Sequence, residues 1–144
     1  IMLDKFEELG GSAAREAAEV SWGSPSLEAL EAYKAIAVVH TNRRWPGDAF
    51  DRYQRARAHA ELCCYFWADE GKRFNLLPSL SLITSGTLLI GGDSDPVAPL
   101  ACLEEIAQGL TASKPSLHVL PDCGHLPWDD QPDTFGELLD GFIR

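Results

Sequence analysis

Apolar residues along the first half of the chain recur at helical spacing. After Ser24-Pro25, a cap residue and a first-turn proline, Leu27, Leu30, Tyr33 and Ala37 fall on one face, and Asn42 to Gly47, with Pro46 inside, ends that helix. Beyond Asp48, the positions Ala49, Phe50, Tyr53, Ala56, Ala60, Cys63, Cys64 and Trp67 keep the same spacing up to Gly71 and predict a second long amphipathic helix. From Met2 to about Gly71 the chain reads as helices with breaks.

The period changes after Pro78. Thr87-Leu88-Leu89-Ile90 is a short apolar run bounded by Gly86 and Gly91-Gly92, the pattern of a strand buried on both faces. Leu103, Ile106, Ala107 and Leu110 mark a helix. Leu117, Val119 and Leu120 mark a second strand, and Phe135, Leu138, Leu139, Phe142 and Ile143 a final helix. A crossover helix between two such strands makes them parallel and the connection right-handed. The predicted organisation is a helical region over 1–78 followed by an α/β region over 79–144. Two parallel strands do not make a stable sheet, so the α/β part reads as the end of a larger one.

Composition narrows the function classes. The 144 residues are 45% hydrophobic and 24% charged, an ordinary globular balance. Lys and Arg number 12 against 22 Asp and Glu, a net charge of −10, which repels polyphosphate backbones and anionic membranes; nucleic acid and membrane are set aside as partners. No apolar run reaches membrane-spanning length, and the acidic, amphipathic stretch Ile1 to Leu9 lacks the features of a signal peptide, so a cytoplasmic location is expected. Ile1 ahead of Met2 suggests a processed chain or one piece of something longer. Cys63, Cys64, Cys102 and Cys123 have no metal or redox spacing and are expected to be buried free thiols. Cys123 with His125 offers two ligands, too few for a tetrahedral zinc site, so no metal is expected.

Each strand delivers ionisable residues at its carboxyl end, where open α/β sheets place their ligands. The first runs into Gly92-Asp93-Ser94-Asp95-Pro96-Val97-Ala98-Pro99, the second into Pro121-Asp122-Cys123-Gly124-His125-Leu126-Pro127-Trp128. If the strands are neighbours, a carboxylate and an imidazole meet at one edge, and the carboxylate can hold the imidazole's tautomer.

These two loops resemble the C-terminal half of an α/β-hydrolase, whose last strands end in a G-x-x-D-P-x-x-P turn with the triad acid and a G-H loop with the triad base. Gly92 to Pro99 and Gly124 to Phe142, including Pro132 and Phe135, match in order and spacing. The resemblance implies Asp95 as acid and His125 as base, with no cofactor. The helical half is similar to the cap of such enzymes, and Tyr65-Phe66-Trp67 through Gly71-Lys72-Arg73-Phe74-Asn75-Leu76 is similar to proline iminopeptidase-like caps. That implies a serine hydrolase acting on a small molecule or short peptide, with acidic residues such as Glu61, Asp69 or Glu70 holding an ammonium. Esterases, dehalogenases and epoxide hydrolases share the fold.

The nucleophile elbow G-x-S-x-G and the oxyanion-hole loop are absent. Gly10-Gly11-Ser12-Ala13-Ala14 follows no strand, and Gly92-Asp93-Ser94-Asp95-Pro96 ends in proline, so Ser12 and Ser94 read as ordinary loop residues. The serine is expected on an N-terminal hydrolase segment outside this sequence or on a second copy.

Competing readings stand beside these. Asp95 before a proline could only cap a helix, and a loop His is often merely solvated. Asp93 is the alternative acid, ranked below Asp95. Asp122 reads as a solvated turn carboxylate, and His40, His59 and His118 as structural or surface residues. Trp128 is expected to pack on the last helix rather than line a pocket. Asp93-Ser94-Asp95 is also similar to the D-x-D of Mg²⁺-dependent phosphotransferases, although the flanking glycines and Pro96 fit it poorly. A non-catalytic, hydrolase-derived binding module is the third class.

Overall fold

A computed structural model describes residues 1–57 and 59–144. The chain forms two compact units, one of Ile1–Thr41 with Trp45–Phe74, the other of Asn42–Arg44 with Asn75–Arg144.

The first unit is helical. Helix α1 (Met2–Gly23) kinks at Gly11, whose φ of 72° is one that side-chain-bearing residues rarely adopt. It buries Phe6, Ala14, Ala17, Ala18 and Ser21. Helix α2 (Leu27–Ala32) continues as a π turn over Tyr33–Ala37 and a 3₁₀ turn over Val38–His40. Its cap is Ser26 rather than the expected Ser24. Ser26 Oγ accepts the Ala29 N–H at 3.1 Å, whereas Ser24 closes α1 by donating its N–H to the Val20 carbonyl at 2.9 Å. Ser24 and Pro25 thus lie between the end of α1 and the cap of α2. Phe6, Trp22 and Tyr33 form an edge-packed cluster with centroids 5.6–6.0 Å apart, and Trp67 joins Trp22 at 6.5 Å. Phe6 is buried at the centre of this cluster, Trp22 and Tyr33 are half-buried and Trp67 is exposed.

The predicted second long helix is broken. Helix α3 (Ala49–Arg55) stops where Ala56 turns extended at ψ 132°. The Ala56 carbonyl there accepts Lys34 Nζ at 2.7 Å, while Gln54 Nε2 donates to the Lys34 carbonyl at 2.8 Å. Tertiary bonds to a distant segment have replaced the helical ones. Helix α4 (Ala60–Tyr65), a π turn over Phe66–Glu70 and the single turn α5 (Gly71–Arg73) follow. Ala58, which the predicted helix would include, lies outside the described residues.

The second unit carries the α/β pattern. After a 3₁₀ turn over Leu77–Leu82 come β1 (Leu88–Gly92), α6 (Leu100–Gly109), β2 (Ser116–Leu120), α7 (Pro127–Asp130) and α8 (Pro132–Ile143). The strands pair in parallel from Leu88 opposite Ser116 to Gly92 opposite Leu120, as the crossover helix requires. Among the described residues the sheet has these two strands.

The expected burial of the first strand on both faces fails. In β1 only Gly91 and Gly92 are buried, with Leu88, Leu89 and Ile90 half-buried, because β1 has a single hydrogen-bonded neighbour. No residue of α8 is buried, and its apolar face ends exposed at Leu139, Phe142 and Ile143, the last 72% exposed. Among the described residues no helix is long and apolar enough to cross a membrane.

Candidate active site

Both strands end at the same edge, so the loops after Gly92 and Leu120 leave side by side. Backbone bonds fasten one to the other. Asp93 N–H donates to the Leu120 carbonyl at 3.1 Å and Ser94 N–H to the Cys123 carbonyl at 2.9 Å. This lacing carries Asp95 to His125, 30 residues further along the chain, with His125 Nδ1 2.9 Å from Asp95 Oδ2.

Asp95 divides its oxygens between two tasks. Oδ1 accepts the N–H groups of Val97 at 2.7 Å and Ala98 at 3.0 Å, which fixes the carboxylate in its turn. Oδ2 is left for the imidazole. The capping expectation therefore holds only for the turn, since α6 begins at Leu100 behind Pro99 with no side-chain cap. The Asp95 side chain is 6% exposed and that of His125 39%, so the acid is sealed while the base reaches solvent. An ionised carboxylate only accepts hydrogen bonds, so a neutral imidazole bonded to one carries its proton on Nδ1 and its lone pair on Nε2.

Asp93, the alternative acid, is exposed and takes the Ser94 hydroxyl on Oδ1 at 2.9 Å. That bond also engages Ser94. Ser12 lies in α1, just past the Gly11 kink, in the helical unit. Asp122 corrects its expectation of a merely solvated carboxylate. It pairs with Arg43 Nε at 3.0 Å and Arg44 Nη2 at 2.7 Å, and the hydrogen bond from Arg43, aided by the Arg44 charge, holds its carboxyl below the usual range. His118 sits on β2 with Nε2 2.9 Å from Ser116 Oγ, and His40 packs against Gly10. Trp128 meets Phe135 of α8 edge-on, centroids 5.9 Å apart.

Of the four free cysteines only Cys123 is buried; Cys63, Cys64 and Cys102 are half-buried, short of the expectation. Burial, and then the charges of Asp130, Asp93 and Asp95, push the Cys123 thiol up to about 11. A folded pKa raised above the unfolded one means that the native state keeps a proton the unfolded chain has lost. Stability should therefore be independent of this thiol up to about pH 9 and fall as pH rises towards about 11. Urea midpoints between pH 8 and 10.5 should decline more steeply for this chain than for Cys123→Ala. Parallel declines would show that the thiol is not responsible.

One participant escaped the sequence. Asp130, 5% exposed in α7, accepts three backbone N–H groups, from Arg43, Arg44 and Gly124. Its partners 86 and 87 residues away have no local signature.

Parallel strands joined by a crossover helix, with a sealed carboxylate on an accessible imidazole beyond their carboxyl ends, define an α/β protein with a carboxylate–imidazole pair at its strand ends. A model of the alpha/beta hydrolase family matches residues 6–138, and the chain belongs to that family, whose members are usually hydrolytic enzymes. No curated protein matches the sequence.

Proposed function

We propose that this chain is the cap and C-terminal portion of a serine hydrolase, with His125 as general base and Asp95 as the acid that orients it. The carrying observation is the 2.9 Å contact between Nδ1 and an Asp95 oxygen whose twin is separately anchored. In this reading Nε2 takes the proton of a serine hydroxyl as its oxygen attacks an acyl carbon. Asp95 stabilises the resulting imidazolium, which returns the proton to the leaving group, and water then repeats the cycle on the acyl-enzyme. No cofactor enters.

In this reading the serine is supplied by an N-terminal hydrolase segment outside these 144 residues. The under-covered β1 and the exposed apolar end of α8 are consistent with a further layer of protein there. Peptide hydrolysis of the proline iminopeptidase kind rests on the cap resemblance. Of the acidic candidates for the substrate ammonium, Asp69 is paired with Arg73, while Glu61 and Glu70 are exposed and have no such partner among the described residues.

Intact masses taken before and after treatment with a serine-directed fluorophosphonate test the proposal. The expected label lies on a companion polypeptide or on sequence beyond these residues. Label on the 15.8 kDa chain itself, at Ser12 or Ser94, would overturn the claim that the nucleophile is supplied from elsewhere.

A further inference from the structure

The residues on either side of His125 are each tied down by a side chain that the proton-transfer scheme does not use. Gly124, immediately before it, donates its N–H to Asp130 Oδ2 at 2.6 Å. Leu126, immediately after it, donates its N–H to Asn42 Oδ1 at 3.1 Å. The two ties share an anchor, because Asp130 also accepts the N–H of Arg43 at 3.0 Å and of Arg44 at 2.5 Å. Asn42, Arg43 and Arg44 thus form a short splint, packed in the same compact unit as the His125 loop although the residues flanking them in sequence belong to the other unit. Asn42 and Asp130 are both 5% exposed, so water competes little for these bonds.

The ties hold the Cys123–Gly124 and His125–Leu126 peptide groups, so the backbone between them turns only at Gly124 and His125. The direction of the imidazole follows from that short stretch of backbone and from its own side-chain rotamers. The contact they would protect is directional, since a hydrogen bond to Asp95 weakens steeply once its angle or distance drifts. A buried carboxylate that only filled a core would be replaceable by an apolar group. Here its partners are backbone N–H groups, which no substitution short of proline removes, and one of them belongs to the residue before the base.

We propose that Asp130 and Asn42 are positioning residues for His125, holding the Gly124 and Leu126 amides so that Nδ1 stays on Asp95. This rests on the acid–base reading of the Asp95–His125 pair. It adds the mid-chain segment 42–44 to the parts on which the base depends.

The test is nitrogen-15 NMR of the full chain labelled at histidine, with His125 assigned by a His125→Gln variant. The starting protein should show the Nδ1–H tautomer with slow solvent exchange of that proton. Asn42→Ala and Asp130→Asn, verified as folded by circular dichroism, should each mix in the Nε2–H tautomer and speed that exchange about tenfold, in line with one lost hydrogen bond. Folded variants with an unchanged tautomer and exchange rate would overturn the proposal. If Asp130→Asn does not fold, Asn42→Ala decides alone, because it leaves the carboxylate and its three N–H partners intact. Asp95→Asn in the same series separates the two claims. An unchanged tautomer there brings down the acid–base reading, and the positioning role with it; a changed tautomer there with none in the Asn42 and Asp130 variants brings down only the positioning role.

Discussion

Asp95→Ala should lower the unfolding free energy by about 2–4 kcal/mol, because it strips partners from two turn N–H groups and from an imidazole at once. Urea denaturation reads this directly, and a midpoint equal to that of the unchanged chain would refute it. Asp95→Asn separates support of the fold from the proposed chemistry. Its amide oxygen can keep the Val97 and Ala98 N–H groups, so the stability cost should be about 1 kcal/mol or less. Its NH₂, however, faces Nδ1 and makes that nitrogen an acceptor. The ring proton then moves to Nε2, the atom that must be bare to take a proton from a hydroxyl. Wherever hydrolysis is measured with the nucleophile present, turnover should fall by about 10⁴ while substrate binding is kept. Equal activity of Asp95→Asn would mean that the pair serves structure alone.

The legible part of this protein is the part in which one local pattern suffices. A short apolar run closed by Gly91 and Gly92 has the length and flanking glycines of a strand, and a helix-length spacer to the next run makes the two parallel. Once they are parallel, Asp95 and His125 need only to follow their strands, and their meeting can be deduced without a contact in hand. The illegible part depends on long-range bonds. Nothing about Ala56 says that Lys34 will take its carbonyl and end a helix whose periodicity runs on to Gly71. Nothing about Asp130, one acid among several after Trp128, says that residues 43 and 44 will come to it. Periodicity alone predicts the apolar stripe on α8. The stripe is real, but its coverage depends on what else is packed against it, and Ile143 remains 72% exposed.

Gly92→Ala should be the most damaging single methyl group that this site can receive. A Cβ on Gly92 would lie 1.9 Å from the Cys123 carbonyl oxygen, 2.3 Å from its carbon and 2.6 Å from the Gly124 oxygen. All three are backbone atoms, so no rotamer relieves the overlap and the loop itself must retreat. The retreat breaks the bond from Ser94 N–H to the Cys123 carbonyl and carries the residue before His125 away from Asp95. The adjacent glycine supplies the control. A Cβ on Gly91 would meet the Leu103 side chain at 2.5 Å, the end of a flexible group that can turn aside. Gly91→Ala should therefore cost about 1 kcal/mol and Gly92→Ala about 3 kcal/mol or more, at or beyond the upper end of ordinary overpacking. Only Gly92→Ala should also abolish the Nδ1–H signature of His125. The pair of variants thus separates crowding of a core from displacement of the base: if both lose stability equally and both retain that signature, Gly92 is a packing residue and the close approach of the two strand-end loops has no bearing on His125.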